Sequence, residues 1–69
     1  MPASLTEREL EILRLLSAGA TNRQIAAELV LSVRTVENHV FNIYAKTNTK
    51  GRAATTGWAI ANGLYDLRT

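Results

Sequence analysis

The fold of this chain is decided by residues 21–42, which read TNRQIAAELVLSVRTVENHVFN. Threonine and serine are favoured just before the first turn of a helix, because the side-chain oxygen accepts a free backbone N–H. Thr21 has this position, and Gln24 three residues later completes a capping box. Ser32 has the same position eleven residues further on. The stretch therefore predicts a short helix over residues 22–29, a tight turn, and a longer helix over residues 33–46.

The same pattern stands upstream of this stretch. Thr6 and Glu9 form a further capping box, and Leu5 and Leu10 have the spacing of a hydrophobic staple. Gly19 stands where a left-handed residue commonly ends a helix. A first helix is therefore predicted over residues 7–18.

A fourth helix is predicted over residues 52–62, between Gly51 and Gly63. Gly57 in its interior costs roughly 1 kcal/mol relative to alanine, so this helix is expected to depend on tertiary or subunit contacts. Apolar spacing is helical throughout, and strand-like alternation is absent. The predicted fold class is all-α: a four-helix bundle that contains a helix-turn-helix, with helices over 7–18, 22–29, 33–46 and 52–62.

Composition removes several classes of function. The 69 residues form a single domain, 1–69, and contain no cysteine, which excludes disulfides, thiolate metal sites and a cysteine nucleophile. No apolar run approaches the roughly 18 residues of a membrane span. Because the sequence shows neither a disulfide nor a secretory signal, a cytoplasmic location is expected. The one histidine, His39, lacks a second metal ligand and is expected to pack in the fold. Without a catalytic constellation or a glycine-rich phosphate loop, neither an enzyme nor a cofactor is predicted.

The charge is distributed unevenly along the chain. The net charge is +2, but residues 1–31 hold three arginines against four glutamates, whereas residues 32–69 hold five basic residues against two acidic ones. The basic excess in the second half favours an anionic partner.

The predicted third helix has two distinct faces. Val33, Val36, Val40, Ile43 and Tyr44 fall within about 100° of one another and predict the buried side. The opposite side carries side chains that suit base edges: arginine favours guanine, asparagine favours adenine, and glutamate accepts from cytosine N4. A phenylalanine there can contact a thymine methyl group. The alternative is an ordinary solvated face. The residues concerned are Arg34, Glu37, Asn38, Phe41 and Asn42.

The combined motif resembles the LuxR-type helix-turn-helix domain, of the NarL/FixJ class, over nearly the whole chain. The matching residues are Leu5-Thr6-x-Arg8-Glu9-x-Glu11-x-Leu13, Gly19-x-Thr21-Asn22-x-x-Ile25-Ala26-x-x-Leu29, Ser32-x-x-Thr35-Val36-x-x-His39, Lys46, Arg52 and Gly63-Leu64. The resemblance implies a DNA-binding output domain at the C-terminus of a larger transcription regulator, with double-stranded DNA and RNA polymerase as partners. It implies base contacts by Glu37, Asn38 and Phe41, to which the helix geometry adds Arg34. The expected DNA backbone contacts are Asn22, Ser32, Thr35, Asn42, Lys46 and Arg52.

The resemblance also implies a homodimer formed through the fourth helix. Five residues there have a spacing that places them on one face, and small residues among them permit close approach of two backbones. The alternative is that this face covers the domain's own core. Trp58 is expected to be a partly buried packing residue. The predicted dimer face consists of Ala53, Gly57, Ile60, Ala61 and Leu64.

Departures from the family pattern support a second interpretation. Glu37 stands where many relatives have lysine, and the sequence Lys46-Thr47-Asn48-Thr49 stands where they often have Lys-Leu-x-Val. Thr55-Thr56 replaces a common Ala-Val, so a weakened contact between the third and fourth helices is expected. The alternative function is a protein-interaction module that keeps the helix-turn-helix shape but has little affinity for DNA.

Overall fold

A computed structural model describes residues 4–64 and contains four helices in this part of the chain. The all-α prediction is confirmed, and no strand occurs within residues 4–64. The three predicted C-terminal ends that differ, at residues 18, 46 and 62, are each off by a single residue. The helices are α1 (Glu7–Ser17), α2 (Asn22–Leu29), α3 (Val33–Thr47) and α4 (Arg52–Ala61).

Side-chain caps begin the first three helices, as the sequence predicts. The Thr6 hydroxyl oxygen accepts the Glu9 N–H at 3.1 Å, and the Glu9 carboxylate accepts the Thr6 N–H at 2.9 Å. Thr21 and Gln24 repeat this reciprocal pair at 3.1 and 2.8 Å. Ser32 accepts the N–H of the third residue of α3 at 3.0 Å. These bonds satisfy backbone donors that a helix N-terminus otherwise leaves without partners.

All four helices end at or next to a residue with left-handed backbone, but only at the end of α2 is that residue β-branched. Gly19 follows α1 with φ 99° and Gly63 follows α4 with φ 72°, a conformation that glycine adopts without steric cost. Val30 ends α2 with φ 56° and ψ 51°, and its side chain is 89% exposed. Left-handed backbone costs roughly 1–2 kcal/mol for a residue with a Cβ atom, so the turn between α2 and α3 holds local strain.

The core lies where α1 crosses α2, α3 and α4. Its large fully buried aliphatic side chains come from the first three helices, α4 contributes the fully buried Ala59, and α1 contacts each of the other helices. One expected member is absent: Val33 is 37% exposed, because it lies in the first turn of α3 at the rim of the core. The largest fully buried aliphatic residues are Ile12, Leu13, Leu16, Ile25, Val36 and Ile43.

Three threonines join α3 to α4. Thr47 and Thr55 are buried, at 6% and 0% exposure, and Thr49 lies between them in the connecting loop. The Thr49 hydroxyl lies 2.8 Å from that of Thr47 and 2.7 Å from that of Thr55. The two outer hydroxyls also donate to the carbonyls of Ile43 and Gly51, at 2.8 and 2.7 Å. The polar residues expected to weaken this seam are therefore paired with one another and with the backbone.

Candidate nucleic-acid interface

The outward face of α3 presents every side chain that the sequence assigns to base contacts. Burial of Val36, Val40 and Ile43 fixes the rotation of the helix, which turns the opposite face to solvent. Phe41 is 72% exposed. Within residues 4–64, no ion pair engages the charged members of this face, so one cation and one anion are both accessible. The exposed set is Arg34, Glu37, Asn38, Phe41 and Asn42.

Two hydroxyls at the start of α3 form a directed pair. Ser32 donates its hydroxyl hydrogen to the Thr35 oxygen at 2.9 Å while it accepts the Thr35 backbone N–H at 3.0 Å. The hydroxyl hydrogen of Thr35 is therefore left to donate to an external acceptor. This donor lies in the first turn of α3, where the helix dipole favours negative charge.

Asn22 is oriented by an arginine thirty residues away in sequence. Its side-chain oxygen accepts from Arg52 at 3.3 Å, and the other terminal nitrogen of the guanidinium donates to the Ala20 carbonyl. The arginine thus links the first turn of α4 to the turn before α2. Because its oxygen accepts from Arg52, the Asn22 amide keeps the two donors of its NH₂ group for another acceptor. The sequence placed both residues at the DNA backbone, and the structure brings them into contact with each other.

Lys46 forms an ion pair that sequence reasoning did not anticipate. Its ammonium lies 2.8 Å from the Glu9 carboxylate, whose side chain is 5% exposed. Burial raises the pKa of Glu9, but hydrogen bonds from Lys46 and Thr6, with the lysine charge, hold it below its ordinary value of 4.5. An ammonium has three donors, so two remain for another anion. The only signal in the sequence was the capping role of Glu9, because 37 residues separate the pair.

The predicted dimer face on α4 is largely open. Ala53, Gly57, Ile60 and Ala61 are exposed, whereas Leu64 is partly buried and packs against the core. The alternative interpretation, in which the face covers the domain's own core, therefore applies to Leu64 alone. Trp58 is half-buried against the core, as expected.

The remaining side chains of residues 4–64 form no candidate metal site. His39 is half-buried on α3, and the described part of the chain holds no cluster of histidine and carboxylate side chains that could ligate a metal. None of the helices in residues 4–64 has the length and apolar character that crossing a bilayer requires. The arrangement as a whole is a helix-turn-helix, which defines a DNA-binding domain of that class. We call its exposed α3 surface the reading face; it consists of Arg34, Glu37, Asn38, Phe41 and Asn42.

Comparison with known proteins identifies the family of this chain. The family described as "Bacterial regulatory proteins, luxR family" matches residues 3–59, so the chain belongs to this family of transcription regulators. It is 43% identical over 63 residues to the transcriptional regulatory protein LiaR of Bacillus subtilis, covering 91% of this chain and 30% of LiaR. It is 42% identical over 64 residues to DegU of Brevibacillus brevis, covering 93% of this chain and 27% of DegU. The chain thus spans less than a third of these relatives.

Two solved structures share the fold. The transcription factor GerE superposes with a TM-score of 0.83 at 33% identity, covering 91% of this chain and 94% of GerE. The LuxR-type receptor VqmA of Vibrio cholerae superposes with a TM-score of 0.86 at 29% identity, covering 90% of this chain and 28% of VqmA. That structure is described as the VqmA dimer in the absence of its target DNA.

Proposed function

We propose that this chain is the sequence-specific DNA-binding domain of a transcription regulator, and that α3 enters the major groove. The single observation that carries the proposal is the outward face of α3, where five exposed side chains lie opposite the buried side chains of Val36, Val40 and Ile43. In this arrangement Arg34 reads guanine, Asn38 reads adenine and Glu37 accepts from cytosine N4.

The phosphate contacts flank this face. Thr35 donates its unused hydroxyl hydrogen, and Asn22 donates from the NH₂ group beside its occupied oxygen, to phosphate oxygens. Lys46 contributes through the two ammonium donors that Glu9 does not occupy. Such contacts supply affinity and fix the register of the helix, whereas base contacts discriminate between sequences. The proposed backbone set is Asn22, Ser32, Thr35, Asn42, Lys46 and Arg52, of which Arg52 acts by orienting Asn22.

The assembly is proposed to be a homodimer formed through α4. On the exposed face of α4, the small side chains of Ala53 and Ala61 and the bare backbone of Gly57 permit two helices to approach closely, and Ile60 adds apolar surface. A two-fold pair matches a palindromic site with half-sites about one helical turn apart. In the whole regulator this domain is the C-terminal output module, which acts in the cytoplasm with RNA polymerase.

The test is selection from a pool of randomised DNA duplexes, with the purified chain alone and fused to a strong dimeriser. An enriched, reproducible half-site is expected. Glu37→Gln should change the preferred base at one position of that half-site. Glu28→Gln removes the same charge from an exposed carboxylate on α2 and should leave the preference unchanged.

The protein-interaction module is the second candidate, favoured by the neutral reading face and by the pairing of Lys46 with Glu9. If no duplex is enriched even by the fused dimer, this second function replaces the first. If Glu37→Gln and Glu28→Gln select the same site as the unchanged chain, DNA binding stands, but position 37 lies outside the groove.

A further inference from the structure

Phe41 is the feature of the reading face that hydrogen bonding does not explain. It is the only phenylalanine in the chain, and 72% of it is exposed in the middle of α3. A phenylalanine in the core would be covered, whereas this ring lies one turn beyond Glu37 on a solvent-facing surface. Beside it an open groove of about 400 Å³ runs toward the loop between α3 and α4, lined in part by Tyr44, Ala45 and Thr49.

The major groove offers such a ring one kind of partner. A phenyl ring has no hydrogen-bond donor or acceptor for a base edge, so it gains only from apolar contact. The C5 methyl group of thymine is the apolar group that a base pair presents there, and it is absent from cytosine. 5-Methylcytosine carries the same methyl group beside an N4 amino donor.

The spacing on α3 relates this contact to the one made by Glu37. Four residues separate Glu37 from Phe41, which corresponds to about 6 Å along the helix axis. Successive base pairs are about 3.4 Å apart along one strand. We propose, resting on the proposed function, that Phe41 reads the C5 methyl group of a pyrimidine within two base pairs of the cytosine that Glu37 reads. The recognised half-site is therefore one in which a methylated pyrimidine, thymine or 5-methylcytosine, is preferred at that position.

The test removes the methyl group alone. In the duplex enriched by selection, each thymine is replaced singly by uracil, and affinity is measured for the unchanged chain and for Phe41→Ala. Uracil at one position per half-site should weaken the unchanged chain about three- to fivefold, as expected for one methyl group that stays in water. Phe41→Ala should bind the thymine and uracil duplexes equally at that position.

Two controls separate a methyl contact from other effects. Val30→Ala trims an exposed apolar side chain at the turn before α3, and it should keep the full uracil effect. 5-Methylcytosine paired with guanine at the sensitive position should bind more tightly than cytosine. Circular dichroism establishes that each variant folds, which is expected because both side chains are exposed.

The outcomes are distinguishable. If a duplex is enriched but contains no uracil-sensitive thymine, or if Phe41→Ala shows the same loss, the ring does not read a methyl group and only this inference is overturned. If no duplex is enriched, the proposed function fails and this inference fails with it.

Discussion

Two regions of this small domain are held together by different chemistry. The junction of α1, α2 and α3 is an aliphatic core, whose side chains reach 0% exposure at Ile12, Ile25 and Val36. The junction of α3 with α4 relies on the hydroxyls of Thr47, Thr49 and Thr55, and Arg52 links α4 to the turn before α2. Removing volume from an apolar core lowers the free energy of unfolding. The stability of a hydrogen-bonded seam depends instead on whether each donor and acceptor keeps a partner. The reading helix is thus positioned mainly by apolar packing, whereas α4 adds polar contacts in its N-terminal half to the packing of Ala59 and Trp58 against the core.

The largest expected effect breaks the apolar region. Ile25→Ala removes a fully buried side chain of α2 and leaves a cavity between helices, which typically costs 2–5 kcal/mol. A domain of this size is marginally stable, so the variant is expected to be largely unfolded at 37 °C. Thermal and urea denaturation followed by circular dichroism measure the change. A loss below about 1 kcal/mol would contradict the assignment of Ile25 to a rigid core.

A smaller loss is expected where a polar link spans the apolar region. Glu9→Gln keeps the acceptor that caps α1, as Gln24 does in α2, but removes the charge that pairs with Lys46. Loss of one charge-assisted hydrogen bond from this largely buried position should cost roughly 1–2 kcal/mol at pH 7. Ile25→Ala should therefore exceed it clearly in the same denaturation assay.

The pH dependence identifies the cause of that loss. The pKa of Glu9 is lowered in the folded chain, so its contribution is present above the unfolded value of about 4.5 and is lost as pH falls through the lower folded value. The unchanged chain should therefore lose stability below about pH 4.5 by more than Glu9→Gln does. Parallel curves for the two proteins over this range would show that the ion pair adds nothing to stability.

The junction of α1, α2 and α3, which is held by apolar residues at helical spacing, is also the region that the sequence predicted well. The caps at Thr6, Thr21 and Ser32 and the burial of Val36 follow from local spacing, which is why the predicted helices were nearly correct. The pairs Glu9–Lys46 and Asn22–Arg52 escaped prediction, because each joins residues at least 30 positions apart. The sequence could place candidate residues on the reading face, but it could not reveal which neighbours already occupied their donors.

A substitution in the turn between α2 and α3 is expected to raise the stability of the domain. Val30 holds left-handed backbone at φ 56°, a conformation that Asn48 adopts at the end of α3 with the same angle. Asparagine tolerates this conformation better than a β-branched residue does, so Val30→Asn should stabilise the domain by about 1 kcal/mol. The midpoint of thermal unfolding should rise by roughly 4–8 °C. An unchanged or lower midpoint would mean that the exposed valine side chain contributes packing that outweighs its backbone strain.

The smallest expected effect tests the polar seam itself. Three hydroxyls provide three hydrogens for four close contacts, so one of the contacts lacks a hydrogen at any moment. Thr49→Val removes the central hydroxyl, yet Thr47 and Thr55 keep their bonds to backbone carbonyls. Its free energy of unfolding should therefore change by less than about 0.5 kcal/mol.

Thr55→Val, by contrast, removes the donor to Gly51 and should cost roughly 1 kcal/mol. Both variants exchange a hydroxyl for a methyl group. A difference between their free energies of unfolding therefore reports the position of the lost hydroxyl. Equal losses would mean that the seam acts as one cooperative network, in which the central hydroxyl matters as much as the outer one.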